Sequence, residues 1–113
     1  EKIYITERGN TFGYNDLVVD FTNIPKMKKY CDNVFVDCTH SLQKTNQDSG
    51  VTGGNPELIS TMCYAAIATG AQGIFVETHP NPEKALSDSR SMLPLNKIKE
   101  IIEKSVRIKK AIN

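Results

Sequence analysis

The chain has 113 residues, of which 39% are hydrophobic and 24% are charged, a balance typical of one globular domain and not of a disordered segment or a coiled coil. Fourteen basic and thirteen acidic residues leave a net charge of +1 without a basic, aromatic-rich patch, which argues against nucleic acid as a partner. No apolar run reaches the roughly 18 residues that a membrane helix requires, so no membrane partner is expected.

The cysteines and the start of the chain suggest a cellular context. Three cysteines are odd in number and show no C-x-x-C spacing, which predicts reduced thiols in a cytoplasmic protein and no disulfide framework. Glu1-Lys2 leads directly into the first predicted strand. Because this beginning is abrupt, we expect the chain to be the C-terminal part of a longer protein.

Two strand patterns dominate the N-terminal half. Residues 3–7 alternate bulky and polar side chains, which predicts a short strand. Residues 34–38 are almost continuously apolar, which predicts a strand covered on both faces, as in a parallel sheet. Between them, residues 10–16 are rich in turn formers, and Asn23-Ile24-Pro25 predicts a short helix over residues 26–30.

The C-terminal half predicts alternating helices and strands. Asn55-Pro56-Glu57 is typical of a helix N-terminus, and apolar residues then recur at helical spacing until Gly70. Residues 73–78 form the third predicted strand. A second Asn-Pro-Glu, at residues 81–83, predicts a helical turn that reaches Asp88.

A final helix is predicted to begin near Pro94. Its apolar face is expected to bury Leu95, Ile98, Ile102, Val106 and Ile112. On its solvent face, Glu100 is expected to pair with Lys104, and Glu103 with Arg107. The alternation of strands and helices indicates parallel βα units in a chain of the α/β class.

A glycine-rich segment follows the second strong strand. Residues 44–54 contain three glycines and almost no apolar side chain, which predicts a long mobile loop of the kind that often covers a site. Its glycines do not match a phosphate-binding fingerprint.

Polar side chains of metal-ligand type follow the apolar strands. His40 and Glu77 would lie at the carboxyl ends of neighbouring parallel strands, where βα folds collect catalytic groups. With Asp88 they form a nitrogen and oxygen set suited to Zn, Mn or Fe. An equally consistent interpretation is that His40 caps its strand and Glu77 makes an ordinary ion pair.

Four other residues have competing interpretations. Arg8 could present its planar guanidinium to a phosphate or carboxylate, or make a salt bridge at the rim of the sheet. Gln43 could donate to an anionic ligand. Cys38 is favoured as a small core residue over a nucleophile. His79 is either a group near a substrate or a surface histidine.

Three stretches carry a resemblance to a known family. They are Thr6-Glu7-Arg8-Gly9 with Phe12-Gly13-Tyr14, then Asp37-Cys38-Thr39-His40-Ser41-Leu42-Gln43, then Glu77-Thr78-His79-Pro80-Asn81-Pro82-Glu83-Lys84-Ala85-Leu86-Ser87-Asp88. In this order they resemble the C-terminal portion of the 3-deoxy-D-manno-octulosonate-8-phosphate synthases. The 3-deoxy-D-arabino-heptulosonate-7-phosphate synthases share the Glu-x-His-Pro and Leu-Ser-Asp patterns. Thr39-His40-Ser41-Leu42-Gln43 is more similar to the octulosonate family.

The resemblance implies a fold and an activity. The fold is a TIM-type (β/α)8 barrel, of which residues 1–113 supply about three C-terminal βα units as one partial domain, with residues 44–54 as the mobile active-site loop. The enzyme would be a transferase of lipopolysaccharide biosynthesis, a cytoplasmic homotetramer. It would condense phosphoenolpyruvate with D-arabinose 5-phosphate and water.

The resemblance also implies roles for individual residues. Arg8 would bind phosphoenolpyruvate, and Gln43 would contact substrate beside it. His40, Glu77 and Asp88 would bind one divalent metal ion (Zn, Fe, Mn or Co), and His40 and Asp88 would also take part in catalysis. The family's remaining ligand, a cysteine near the first barrel strand, lies outside these residues. Members with asparagine there need no metal, so metal dependence stays open.

Two further alternatives remain. Activity on erythrose 4-phosphate would indicate the heptulosonate enzyme. A protein of another class, a βα module that binds metal or phosphate without chemistry, would suit the short chain, because three strands cannot close a barrel. The isolated 113-residue chain is expected to be inactive and prone to aggregation.

Overall fold

The computed structural model describes residues 2–12, 16–44, 53–87 and 89–113. In these ranges the strands are β1 (Ile5–Glu7), β2 (Asn10–Phe12), β3 (Asp16–Val18), β4 (Val34–Asp37), β5 (Gly73–Phe75), β6 (Thr78–His79) and β7 (Leu93–Pro94). The α-helices there are α1 (Asn23–Met27), α2 (Ile59–Ala68) and α3 (Ile98–Ile112). No described helix is long and apolar enough to cross a lipid bilayer.

The central element is a parallel sheet with the strand order β1–β4–β5. Ile5 is aligned with Val34 across the first strand pair, and Phe35 with Gly73 across the second. Parallel neighbours bring the carboxyl ends of all these strands to one edge. The predicted α/β class and parallel strand pairing are therefore confirmed.

The apolar run of β4 becomes the centre of the core. Val34 and Val36 are fully buried, and Phe35, on the opposite face, is half-buried. The core also contains buried residues from α1, α2, α3, β7 and the connecting segments: Ile24, Cys38, Ile59, Cys63, Ala66, Ala71, Leu93 and Ile101. Burial on both faces of β4 explains why its sequence is nearly continuously apolar.

Helix α2 begins and ends close to the predicted positions. A 3-10 turn at Pro56–Leu58 leads into the α-helix at Ile59. Asn55 occupies the N-cap position of this turn, but its side chain makes no capping hydrogen bond within the described part of the chain. Gly70 follows the helix with φ of 96°, a left-handed conformation that favours glycine.

The third predicted strand, residues 73–78, is divided in the structure. β5 ends at Phe75, and β6 pairs in parallel with β7. The backbone N–H of Glu77 donates to Thr39 Oγ1 at 2.8 Å, and the Glu77 carbonyl accepts from Leu93 N–H at 3.0 Å. At Glu77 these two bonds take the place of ladder bonds to β4.

The segment at residues 10–16, which is rich in turn formers, contains a strand that was not predicted: β2 pairs antiparallel with β3. The helical turn predicted at residues 81–88 is shorter than expected. After the second Asn-Pro-Glu, a 3-10 turn covers only Pro82–Lys84, and Ala85 is already extended, so the helical turn does not reach Asp88.

The predicted buried face of α3 is largely wrong. Leu95, Ile102, Val106 and Ile112 are between 46% and 50% exposed, whereas Ile98 is half-buried as predicted. The residues of α3 that are buried are Ile101 and Ser105. The helix packs against α2 through only one edge of its apolar stripe, and sequence periodicity cannot specify which edge that is.

The ion pairs on α3 agree in part with the prediction. Glu100 Oε1 lies 2.7 Å from Lys104 Nζ, and this pair lowers the pKa of Glu100 and raises that of Lys104. Glu103 lies 4.0 Å from Lys99 instead of pairing with Arg107. Both pairs are solvent-exposed, and such pairs contribute little to stability.

Candidate active site

A tight turn follows β4 and presents His40. The Ser41 hydroxyl donates to the Asp37 carbonyl, and the Asp37 carboxylate accepts from the backbone N–H groups of Thr39 and His40 at 3.0 and 2.8 Å. The chain then forms a 3-10 turn at His40–Leu42. These bonds satisfy backbone donors that have just left the sheet, and they set the position of the imidazole.

Two carboxylates approach opposite nitrogens of His40. Asp37 Oδ2 lies 2.8 Å from Nδ1, and Glu77 Oε1 lies 3.5 Å from Nε2. The side chains of His40 and Glu77 are 20% and 28% exposed, so this face of the imidazole is accessible. The Phe75 ring lies beside it, with ring centroids 5.8 Å apart and a 34° angle between the planes.

The backbone of Glu77 is hydrogen-bonded to the turn that carries His40. Thr39 is only 1% exposed, and its Oγ1 accepts the Glu77 N–H. This hydrogen bond holds the polar end of the β5 segment against the polar end of β4. The structure therefore brings together two of the predicted metal ligands, His40 and Glu77.

The third predicted ligand, Asp88, lies outside the described residues. Among the residues that are described, no three His, Cys, Asp or Glu side chains converge as a metal-binding group. The predicted loop at residues 44–54 is also described only at its ends, where Lys44 and Gly53 exchange backbone hydrogen bonds of 2.8 and 2.9 Å.

Arg8 follows β1 at the same edge of the sheet and is exposed. Its neighbour Glu7 is buried, with Oε1 accepting from Gly9 N–H at 2.6 Å and Oε2 from Asn23 Nδ2 at 3.2 Å. Asn23 therefore links α1 to β1 instead of capping its helix. The Glu7 contacts shape the turn that carries Arg8 and leave the guanidinium at the surface.

Gln43 is 7% exposed and lines a cleft of about 240 Å³ together with Asp16, Lys44 and Asn55. Within the described ranges, its Nε2 has no hydrogen-bond partner. A buried amide donor is costly when it is unpaired, which is consistent with a polar ligand at this position.

Cys38 lies in the core, whereas His79 lies beside the turn after β6. Cys38 is fully buried, and a hydrogen bond with the Cys63 thiol, together with burial, raises its pKa. A protonated core thiol is a poor nucleophile, in agreement with the core interpretation. His79 Nδ1 accepts the Asn81 N–H at 2.9 Å, and thus stabilises the turn after β6.

No functional role was predicted for Asp37 or Thr39, although both lie within the His40 motif. The signal that could have found Asp37 is an ionisable residue at the end of a buried strand, three positions before a histidine. At that spacing a carboxylate reaches both the turn amides and the imidazole. Thr39 gave no comparable signal, because its partner is 38 residues away.

The whole chain has known relatives. A family model described as the DAHP synthetase I family matches residues 1–113. A protein named 2-dehydro-3-deoxyphosphooctonate aldolase from Desulfotalea psychrophila is 39% identical over 99% of this chain and 40% of its own length. Proteins of the same name from Legionella pneumophila strain Corby and Desulfosudis oleivorans are each 45% identical, over 91% and 98% of this chain.

Two solved structures also resemble this chain. The crystal structure of phospho-2-dehydro-3-deoxyheptonate aldolase (DAHP synthase) from Thermotoga maritima superposes with a TM-score of 0.78 at 34% identity, covering 96% of this chain and 30% of that one. The truncated form of 3-deoxy-D-arabino-heptulosonate 7-phosphate synthase from the same organism gives 0.77 at 34% identity, covering 96% and 38%. The chain spans about two fifths of the length of the curated relatives, 38% to 40%. It belongs to the DAHP synthetase I family.

Proposed function

We propose that the full-length protein carrying this chain condenses phosphoenolpyruvate with D-arabinose 5-phosphate and water, giving 3-deoxy-D-manno-octulosonate 8-phosphate and inorganic phosphate. The main support is that relatives named 2-dehydro-3-deoxyphosphooctonate aldolase match nearly the whole chain at 39% to 45% identity. Polar and ionisable side chains near His40 would bind the substrates and transfer protons in this reaction. The chain would form one partial domain, the C-terminal βα units of a (β/α)8 barrel.

The described residues can serve two needs of this reaction. A carbon–carbon bond forms between C3 of phosphoenolpyruvate and the aldehyde carbon, water adds at C2, and phosphate leaves. Both substrates are anionic, so they need cationic or donor groups to bring them together. Arg8, exposed after β1, would bind phosphoenolpyruvate, and the buried Gln43 Nε2 would donate to substrate nearby.

His40 and Glu77 would act at the aldehyde and the water. The two side chains face each other across 3.5 Å at the ends of neighbouring strands, within reach of a common substrate atom. The Glu77 carboxylate could accept a proton from the attacking water. His40 and Asp88 keep their predicted catalytic roles, although Asp88 lies outside the described residues.

The same pair fits a divalent ion. Zinc bonds of about 2.0–2.2 Å to nitrogen and oxygen in tetrahedral geometry hold two ligands roughly 3.4 Å apart, and His40 Nε2 and Glu77 Oε1 are separated by 3.5 Å. We propose these atoms as ligands of one Zn, Fe, Mn or Co ion, with Asp88 as a third. Such an ion would polarise the aldehyde oxygen or acidify water.

The second candidate function is 3-deoxy-D-arabino-heptulosonate-7-phosphate synthesis. It is favoured by the two Thermotoga maritima structures, which carry that name at 34% identity. The octulosonate assignment has the stronger support, because the curated relatives of that name are 39% to 45% identical.

We propose that the active full-length protein is a homotetramer in the cytoplasm.

A substrate comparison tests the assignment. Phosphate release by the purified full-length protein would be measured with phosphoenolpyruvate and either D-arabinose 5-phosphate or erythrose 4-phosphate. We expect a kcat/KM at least about 100-fold higher for the pentose phosphate, since a site that binds its extra hydroxyl strongly rejects an analogue without it. Preference for erythrose 4-phosphate would support the second candidate, and no turnover of either sugar would support a non-catalytic module.

The same assay tests the metal. Activity lost on chelation and restored by Zn or Mn would support the proposed ligand set. Unchanged activity in protein shown by elemental analysis to contain no metal would place the enzyme among the metal-independent members.

A further inference from the structure

The Asp37 carboxylate occupies an unusual position between backbone and imidazole. It is 7% exposed, and each of its oxygens has a separate task. Oδ1 accepts from the N–H groups of Thr39 and His40, whereas Oδ2 faces His40 Nδ1 at 2.8 Å. The carboxylate therefore has one oxygen committed to the turn and one committed to the ring.

The contact with Oδ2 determines which nitrogen of a neutral imidazole carries the proton. An ionised carboxylate can only accept hydrogen bonds, so Nδ1 must be the donor. The Nε2 lone pair is then directed towards the side on which Glu77 Oε1 lies, 3.5 Å away. A ligand nitrogen or a proton acceptor needs this lone pair, which the opposite tautomer would cover with a hydrogen.

We propose that Asp37 is a positioning residue, which holds His40 in the Nδ1–H tautomer and directs the Nε2 lone pair towards Glu77. This inference deepens the proposed function and rests on it for the effect on catalysis. The tautomer assignment does not depend on the proposed function: it rests on the Asp37 contact at 2.8 Å, which is closer than the Glu77 contact at 3.5 Å. Asp37 acts through His40 and does not itself contact substrate.

The replacement Asp37→Asn tests which nitrogen of His40 carries the proton. It keeps the shape of the side chain but replaces one hydrogen-bond acceptor with a donor. The turn still presents two N–H donors to Oδ1, so the amide oxygen must stay there. The amide NH₂ then occupies the place of Oδ2 and faces Nδ1. Two donors cannot share a hydrogen bond, so Nδ1 must become the acceptor and the proton must move to Nε2.

Asp20 offers a matched control elsewhere in the chain. Its Oδ1 accepts from the Thr22 N–H at 2.9 Å and from the Thr22 hydroxyl at 2.7 Å, on an exposed turn before α1. Asp20→Asn therefore makes the same chemical change in a similar turn without a histidine contact. It is expected to leave both the His40 tautomer and the turnover unchanged.

The experiment uses the full-length protein with ¹⁵N-labelled histidine, free of metal, at a pH where the imidazole is neutral. Long-range ¹H–¹⁵N spectra report which ring nitrogen is protonated, and His40→Gln identifies the His40 signals by their loss. We expect Nδ1–H in the parent protein and in Asp20→Asn, and Nε2–H in Asp37→Asn. Turnover of Asp37→Asn should fall by about 10- to 100-fold, the usual effect of losing such a partner, with little change in the KM for phosphoenolpyruvate.

Each result decides the proposal. Nε2–H in the parent protein overturns it, even if Asp37→Asn fails to fold. An unchanged tautomer or an unchanged kcat in folded Asp37→Asn also overturns it. The tautomer is measured without substrate, so a protein that prefers erythrose 4-phosphate would contradict the proposed function while leaving this inference intact.

Discussion

The Thr39 hydroxyl joins the ends of two strands that are far apart in the chain. It is buried, and its Oγ1 accepts the Glu77 N–H at 2.8 Å. Because Glu77 has left the sheet at this point, the hydroxyl replaces a partner that a strand would have provided. The position of the Glu77 carboxylate beside His40 therefore depends on this side-chain acceptor together with the Leu93 N–H, which donates to the Glu77 carbonyl.

Thr39→Val should separate shape from hydrogen bonding. Valine fills nearly the same volume but leaves the Glu77 N–H unpaired, which we expect to destabilise the protein by about 1–3 kcal/mol. Denaturant unfolding of the full-length protein would measure this change, and amide exchange at Glu77 would show its local effect. Thr39→Ser keeps the hydroxyl and serves as the control. Equal stability and equal Glu77 exchange in the two variants would contradict the prediction.

At the scale of elements, the segment that enters α2 is closely packed against the segment before β7. A side chain at Gly54 would place its Cβ 2.8 Å from Ser91 Oγ and 3.0 Å from both Arg90 O and Ser91 Cα. Two of these contacts are backbone atoms, which cannot rotate away. Gly54 therefore allows the end of the predicted 44–54 loop to lie against the Arg90–Ser91 turn.

Gly54→Ala should push these segments apart. We expect a loss of about 1–3 kcal/mol in the free energy of unfolding, as for other overpacked sites, and faster amide exchange around Ser91. Ser91→Ala alone should cost little, because its buried hydroxyl has no hydrogen-bond partner among the described residues.

A double-mutant cycle tests the cause. Gly54→Ala combined with Ser91→Ala removes the Oγ contact but keeps the two backbone contacts, so it should recover only part of the lost stability. Full recovery would show that the hydroxyl alone limits the approach, and no loss in Gly54→Ala would contradict the close packing.

At the scale of the whole molecule, large apolar side chains remain exposed on α3 and on β5. Ile102 and Val106 on α3 are 50% and 47% exposed, and Phe75 on β5 is 44% exposed. β1 and β5 each have one edge without a strand partner among the described residues. Open strand edges and contiguous apolar patches favour association.

The isolated 113-residue chain should therefore self-associate and show no condensation activity. Size-exclusion chromatography with light scattering would measure the association, and a phosphate-release assay would measure turnover. Replacing both Ile102 and Val106 with lysine should reduce association of the isolated chain, whereas replacing the already exposed Lys99 and Glu103 with alanine should not. A monodisperse, active isolated chain would contradict this prediction.

The order of the parallel-sheet strands β1, β4 and β5 and of the helices could be predicted because it depends on local patterns. The apolar run of β4, the helical spacing of α2 and the glycine after α2 are each defined by residues that are close together in the sequence. The division of the third predicted strand could not be predicted, because it depends on Thr39 and Leu93, both distant in sequence from Glu77. The buried edge of α3 was missed for the same reason, since α2 selects it.

For the candidate site, the sequence by itself determined the residue types: polar and ionisable side chains directly after buried parallel strands, with His40 and Glu77 among them. Only the tertiary structure decided that these two side chains meet at 3.5 Å and that Asp37 contacts the other imidazole nitrogen. The physical reason is that strand periodicity specifies which residues end at one edge of a sheet, whereas side-chain distances depend on turns and hydrogen bonds between distant segments.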